Sequence, residues 1–411
     1  MNSLEINSIK INNNQIIYDY KIIGEWNKYF NENEKLYIEY NENIEGTPYG
    51  VAVIPFLCNI LPIAWIFDAQ ISLDEIDRDF YLSIPKFKEG YINMYPKIQF
   101  LGKIKPNIVV DYKKEYSDKS LCLFSGGVDA FNTFLSHINE RPSIATVWGA
   151  DVKLSDEQGW NKVLSHAKNT SCLYNVESKF IKSNFRTFIN EYELTISIFK
   201  KAKDGWWHGF QHGIGMIGLI APITYKDNIS KVYIAASFTI NEKGKVTCAS
   251  DPTIDNNVKF CGCGVEHDGY DVSRQQKIKF ICEYAIENSI NIPLRVCWES
   301  KGGSNCCRCE KCYRTLFGII AEKQDPRQFG FYYSDEELKI MIKDLKNKVY
   351  IGNFRWKYIQ DVFRKNYTVE QVDKNLLWFY KVDISRVDKR MQKIMRRLLS
   401  KFINKIKYNN I

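Results

Sequence analysis

The chain has 411 residues, 45% of them hydrophobic and 26% charged, with twelve cysteines and a formal net charge of +9. This balance excludes disordered and fibrous classes, and the length predicts two or three structural units. The positive charge tolerates anionic partners, nucleic acid among them, without requiring one.

The opening MNSLEINSIK carries neither a secretory nor a mitochondrial-type pattern, so a cytoplasmic location with free thiols is expected. Strand-like runs at 15–20 and 35–40 and a short acidic helix expected over 72–82 make residues 1–117 an α+β region. Asp74, Glu75, Asp77 and Asp79 read as the solvated first turn of that helix. The apolar stretches 51–67 and 214–223 are too short to span a bilayer and are expected in the core.

From residue 118 to 330 the rhythm changes. Apolar runs at 121–124, 144–148, 172–176 and 232–236 alternate with helical patterns, which predicts an α/β unit whose parallel sheet carries helices on both faces. In SLCLFSGGVDAF, residues 120–131, a buried strand gives way to a helix whose apolar positions are Val128, Phe131, Phe134, Leu135 and Ile138. Ser125, Gly126 and Gly127 therefore stand between a strand end and a helix N-terminus. Main-chain amides, the helix dipole and missing Cβ atoms make such a junction suited to phosphate, and Asp129 suits capping or magnesium. A plain strand-to-helix turn needs the same residues.

SGGVDA resembles the SGG-x-D-S/T loop of the PP-loop ATP pyrophosphatases. The resemblance implies that Leu123, Phe124, Ser125, Gly126, Gly127, Val128, Asp129 and Ala130 form an ATP-binding loop, with Ser125 and Asp129 as the catalytic pair. It also implies Mg2+ and cleavage of ATP between its α- and β-phosphates to adenylate a substrate. Ala130 stands where that family has Ser or Thr, which removes one hydroxyl donor. The turn Trp148-Gly149-Ala150-Asp151 corresponds to one that relatives place beside adenine.

Residues 297–312 read CWESKGGSNCCRCEKC. Cys297, Cys306, Cys309 and Cys312 suit a closed four-thiolate Zn2+ site, because C-x2-C-x2-C spacing fits a tight loop entering a helix and Lys301-Gly302-Gly303 gives a flexible return. Cys307 competes with Cys306 for one position; an iron–sulfur cluster and free cysteines are the alternatives to zinc. Arg308, Lys311 and Arg314 would moderate the site's negative charge. The loop and this run, in that order, resemble 7-cyano-7-deazaguanine synthase over about residues 121–317, and in that family the zinc is structural.

That resemblance implies ATP-dependent activation of a carboxylate for amide or nitrile formation. It leaves 1–117 and 331–411 unexplained, which points to a longer relative of the kind found in bacterial modification or antiviral-defence gene clusters. There the acceptor is a deazapurine-like small molecule, another carboxylate or a protein. A thiolation-type tRNA-modifying enzyme and a non-catalytic nucleotide-sensing module are the competing readings, and a homodimer is compatible with all three.

His208 and His212 read as hydrogen-bonded cleft histidines rather than metal ligands. Arg274 and Lys277 share a helix face suited to phosphate or a substrate carboxylate, against a solvated helix capped by Ser273. Cys261 and Cys263 with His267 make a poor zinc hook, and no Cys–His nucleophile pair is evident from spacing. Region 331–411 is expected to be helical and basic, with Arg396, Arg397, Lys401, Lys405 and Lys407 on the solvated side of a terminal helix.

Overall fold

The computed structural model describes residues 2–31, 34–297, 303–347, 351, 354–386 and 394. The basic terminal helix, Lys301 and Gly302 lie outside the described residues. The chain forms two compact units, Met1–Ser273 and Arg274–Ile411.

The first unit is α/β. Its strands are β1 Asn2–Asn12, β2 Gln15–Ile23, β3 Tyr37–Tyr40, β4 Ala69–Asp77, β5 Lys103–Val110, β6 Ser120–Leu123, β7 Ser143–Trp148, β8 Ser178–Ser183, β9 Lys231–Ala235, β10 Lys259–Phe260 and β11 Cys263–Asp268. They join in one mostly parallel sheet of order β10-β11-β9-β6-β7-β8-β3-β2-β1-β4-β5. Antiparallel pairing of β3 with β8, Ile38 opposite Ser183, carries the sheet from the segment before residue 118 into the segment after it.

Within that sheet β6, β7, β8, β9 and β11 are mutually parallel and run in the order 3-2-1-4-5 of a doubly wound fold. The chain leaves β6 through the helix Val128–Ser136 to β7 on one side. It later returns to β9 on the other, so the strand order reverses between β6 and β9. Ligands of open α/β sheets bind at the carboxyl edge of such a reversal, where loops diverge and leave a crevice.

Two expected elements change. Residues 72–82 are not one helix: β4 runs to Asp77, and the helix Arg78–Met94 begins after it. Ala69, Ile71 and Leu73 alternate with period two, which suits a strand, and Asp77 caps the helix by accepting from Phe80 N at 2.9 Å. Nor is the acidic group one solvated face. Asp77 is buried and also accepts from Cys261 N at 2.9 Å, while Asp79 accepts from Gly262 N at 2.8 Å. The run 172–176 is likewise no strand. Its first residues end the helix Glu157–Tyr174, Asn175 takes φ 51° as its left-handed cap, and the strand follows at β8, whose side chains alternate between buried and partly exposed.

The stretches 51–67 and 214–223 are core as expected, in buried helices that include Ile54–Ile66 and His212–Leu219. Among the described residues no helix is long and apolar enough to cross a membrane. The second unit is helical, and the rings of Phe317, Trp356, Phe363 and Phe379 pack together 5.0–5.9 Å apart.

The turn after β7 depends on one glycine. Gly149 has φ 107°, and a Cβ there would lie 2.0 Å from the Ser183 carbonyl oxygen. Gly149→Ala is expected to destabilise the protein by about 2–4 kcal/mol, read as a lower denaturation midpoint.

Candidate nucleotide turn and metal centre

The nucleotide turn begins where β6 stops. Leu121, Cys122, Leu123 and Phe124 are buried, and Phe124 N extends the ladder by donating to Ala145 O at 2.7 Å. The Phe124 carbonyl accepts from Thr146 Oγ1 at 2.9 Å, and its ring packs edge-on against Phe131 and Phe134. Ser125 then emerges as an exposed residue.

Gly126 has φ 76°, a left-handed conformation in which a side chain would be strained. Gly127 is the N-cap of Val128–Ser136 in extended conformation, its N–H 3.4 Å from Ser125 Oγ, and its carbonyl accepts from Phe131 N at 2.9 Å. No side chain caps this helix, so its first-turn amides and positive dipole end face the turn, with Asp129 in the first turn. Val128 and Ala130 are buried. Of the eight loop residues expected to touch nucleotide, Leu123, Phe124, Val128 and Ala130 commit their side chains to the interior.

The second unit holds the cysteine cluster. The Sγ atoms of Cys297, Cys306, Cys309 and Cys312 all lie within 4.8 Å of one another. Cys297–Cys309 and Cys306–Cys312 are each 3.9 Å apart. A tetrahedron of ~2.3 Å Zn–S bonds has edges of about 3.8 Å, so the sulfurs stand where a zinc ion would require them. Cys307 takes φ 49° and is not in the set, which gives the contested position to Cys306.

Local structure explains the convergence. Cys309 is the N-cap of the helix Glu310–Ala321 and Cys312 lies on its first turn, while Arg308 N donates to Cys306 Sγ at 3.3 Å. Asn305 ties the Cys297 approach to this loop: its Oδ1 accepts from Val296 N at 2.9 Å, and its Nδ2 donates to Leu294 O and Gly330 O at 2.7 and 3.0 Å. Hydrogen bonding from Cys312 holds the Cys309 thiol well below its ordinary value, and the same bond raises Cys312. Four sulfur ligands this close suit a cation, and the donor set fits zinc, which here would be structural.

Arg274 and Lys277 belong to the second unit, on the helix Arg274–Glu287; Lys277 is buried, and Arg274 Nη2 donates to Thr315 Oγ1 at 3.2 Å. Burial of Lys277 does not fit a wholly solvated face. Burial raises the Cys261 and Cys263 thiols, and His267 Nδ1 is paired with Asp255 at 2.8 Å, so these residues do not form a second metal set. The other such set among the described residues is His137, Glu266 and Asp268. There both imidazole nitrogens are already engaged, with Glu140 at 3.0 Å and Asp268 at 3.3 Å. Sequence spacing gave no sign of this group, whose members meet only because the helix Val128–Ser136 crosses β9 and β11.

The site residues thus define an α/β protein with a glycine turn at the reversal of a doubly wound sheet and a separate four-cysteine centre. No protein-family model and no curated protein sequence matches the chain.

Zinc content tests the cysteine assignment. Cys306→Ser should cut zinc per chain by at least about tenfold while Cys307→Ser leaves it unchanged, and Asn305→Ala should weaken zinc by roughly 10–100-fold in chelator competition.

Proposed function

We propose that the chain binds Mg-ATP at residues 125–129 and adenylates a carboxylate, with a zinc-stabilised second unit, in the manner of 7-cyano-7-deazaguanine synthase acting on a diverged acceptor. One observation carries this reading: the left-handed Gly126 and extended Gly127 lead into a helix N-terminus without a side-chain cap at the carboxyl edge beside the β6/β9 reversal.

In the proposed step a carboxylate oxygen attacks the α-phosphorus, the bond to the bridging oxygen of the β-phosphate breaks, and pyrophosphate leaves with that oxygen. Main-chain amides of the turn and Ser125 would hold the departing phosphates, whose growing charge they and the helix dipole stabilise. The Asp129 carboxylate, in the first helical turn, would help hold magnesium, which would supply charge neutralisation on the phosphates. A nucleophile then attacks the acyl carbon and releases AMP.

Ala130 favours the second reading, a nucleotide sensor, because its buried methyl supplies no donor to pyrophosphate. With Mg-ATP and a panel of carboxylates the enzyme reading expects AMP and pyrophosphate, whereas binding without AMP selects the sensor. ADP and phosphate would exclude both PP-loop readings. Gly126→Val should weaken a non-hydrolysable ATP analogue at least about tenfold in calorimetry without changing zinc content.

A further inference from the structure

The loop that leaves β9 at its carboxyl end carries Cys248. The segments on either side of this thiol are tied to the turn bearing Asp204 and His208: Thr247 Oγ1 donates to Asp204 Oδ2 at 2.7 Å, and Ala249 N donates to His208 O at 2.8 Å. Asp204 Oδ1 lies 3.0 Å from His208 Nδ1, and Tyr95 Oη donates to Asp204 Oδ2 at 3.1 Å. With Nδ1 committed to Asp204, the other ring nitrogen of His208 is left to exchange a proton with sulfur. His208 rides on a π-helical turn, Trp207–Gln211, a local widening that recurs at functional sites.

This environment differs from that of the buried Cys58 and Cys122. Burial drives Cys58 and Cys122 well above the ordinary thiol value. Burial pushes Cys248 up as well, but hydrogen bonds from the His208 and His212 imidazoles outweigh it and bring the thiol down to about 7. The Asp204 carboxylate, and then Cys248, raise His208 to about 10. Tyr91 and Tyr95 also face the thiol, and Asp255 faces His212. Cys248 itself is 5% exposed, but the His208 side chain beside it is 44% exposed and gives an approach from solvent. Among the described residues these side chains are not one of the sets whose ligand atoms converge on a single ion.

We propose that Cys248, His208 and Asp204 form a second reactive centre, in which the Cys248 thiolate takes an acyl group from an activated carboxyl compound and carries it as a thioester. Sulfur attacks the acyl carbon, the C–S bond forms, the C–O bond to the leaving group breaks, and the His208 imidazolium protonates the departing oxygen. Asp204 is a positioning residue, holding the ring and favouring its charged form. The loops after β6 and β9 flank the strand reversal, so the natural acyl donor is the acyl-adenylate; that source rests on the proposed function, whereas the chemistry of the thiol does not.

The test uses the full chain and p-nitrophenyl acetate. A burst of about one p-nitrophenolate per chain is expected, with acetyl mapped to Cys248 by peptide mass spectrometry and released by hydroxylamine. Its rate should rise through about pH 7 and fall above about pH 10, as the thiolate forms and the imidazolium is lost. Cys248→Ser should abolish the burst at unchanged zinc content and melting temperature. Asp204→Asn should leave Cys248 as the labelled residue but move the lower midpoint toward the ordinary ~8.5 of a thiol. Acetyl spread over other cysteines, or a Cys248 that reacts no faster than they do, overturns the proposal. A burst without AMP formation from ATP supports this centre and removes the adenylation reading, while AMP formation without a burst removes the centre alone.

Discussion

Parallel hydrogen bonding on both edges of β6 is the constraint from which the rest of the first unit follows. Leu121 is paired with Ser143 on β7 and with Val232 on β9, and the ladder continues through Phe124 N to Ala145 O. A strand held on both sides cannot drift in register or tilt. The chain therefore leaves the sheet at a fixed point, and the glycines that follow must reverse it into a helix without any side-chain cap. A helix N-terminus without a side-chain cap at the carboxyl edge is the consequence of that abrupt exit, and this is the feature on which the proposed anion site rests.

The cysteines show how one residue type serves three ends. Cys58 and Cys122 sit in apolar surroundings, where loss of hydration keeps the thiol neutral and inert. The four cysteines of the second unit converge until their sulfurs lie within 4.8 Å of one another, an arrangement that suits a cation such as zinc. Cys248 is buried almost as deeply as the first kind, yet two imidazoles compensate the thiolate. Neighbouring charge, rather than depth, separates the three.

Much of this organisation is legible in the sequence where the pattern is local. The runs at 121–124, 144–148 and 232–236 become β6, β7 and β9 nearly at their expected bounds, because a buried central strand is apolar at every position. The run at 172–176 misleads for the same reason: a short apolar stretch suits a helix end equally well, and the true strand, SKFIKS, has only two apolar residues, Phe180 and Ile181, side by side, and pairs with β3. The four cysteines are legible because three of them lie within one loop and one helical turn, so spacing alone brings them together. Asp204, His208 and His212 are spaced four apart and hint at one helix face, but the partner that gives them meaning lies forty residues after His208.

By itself the sequence determined the strand-to-glycine-to-helix turn at 121–131 and the C-x2-C-x2-C grouping, since both arise from contacts among neighbours in the chain. Only the tertiary structure decided that Cys306 rather than Cys307 joins the cluster, that β3 carries the sheet into its amino-terminal strands, and that Cys248 meets His208. Each of these depends on segments folded back from a distance or on the direction of one backbone turn, and hydrophobic periodicity carries no record of which distant surfaces a fold will press together.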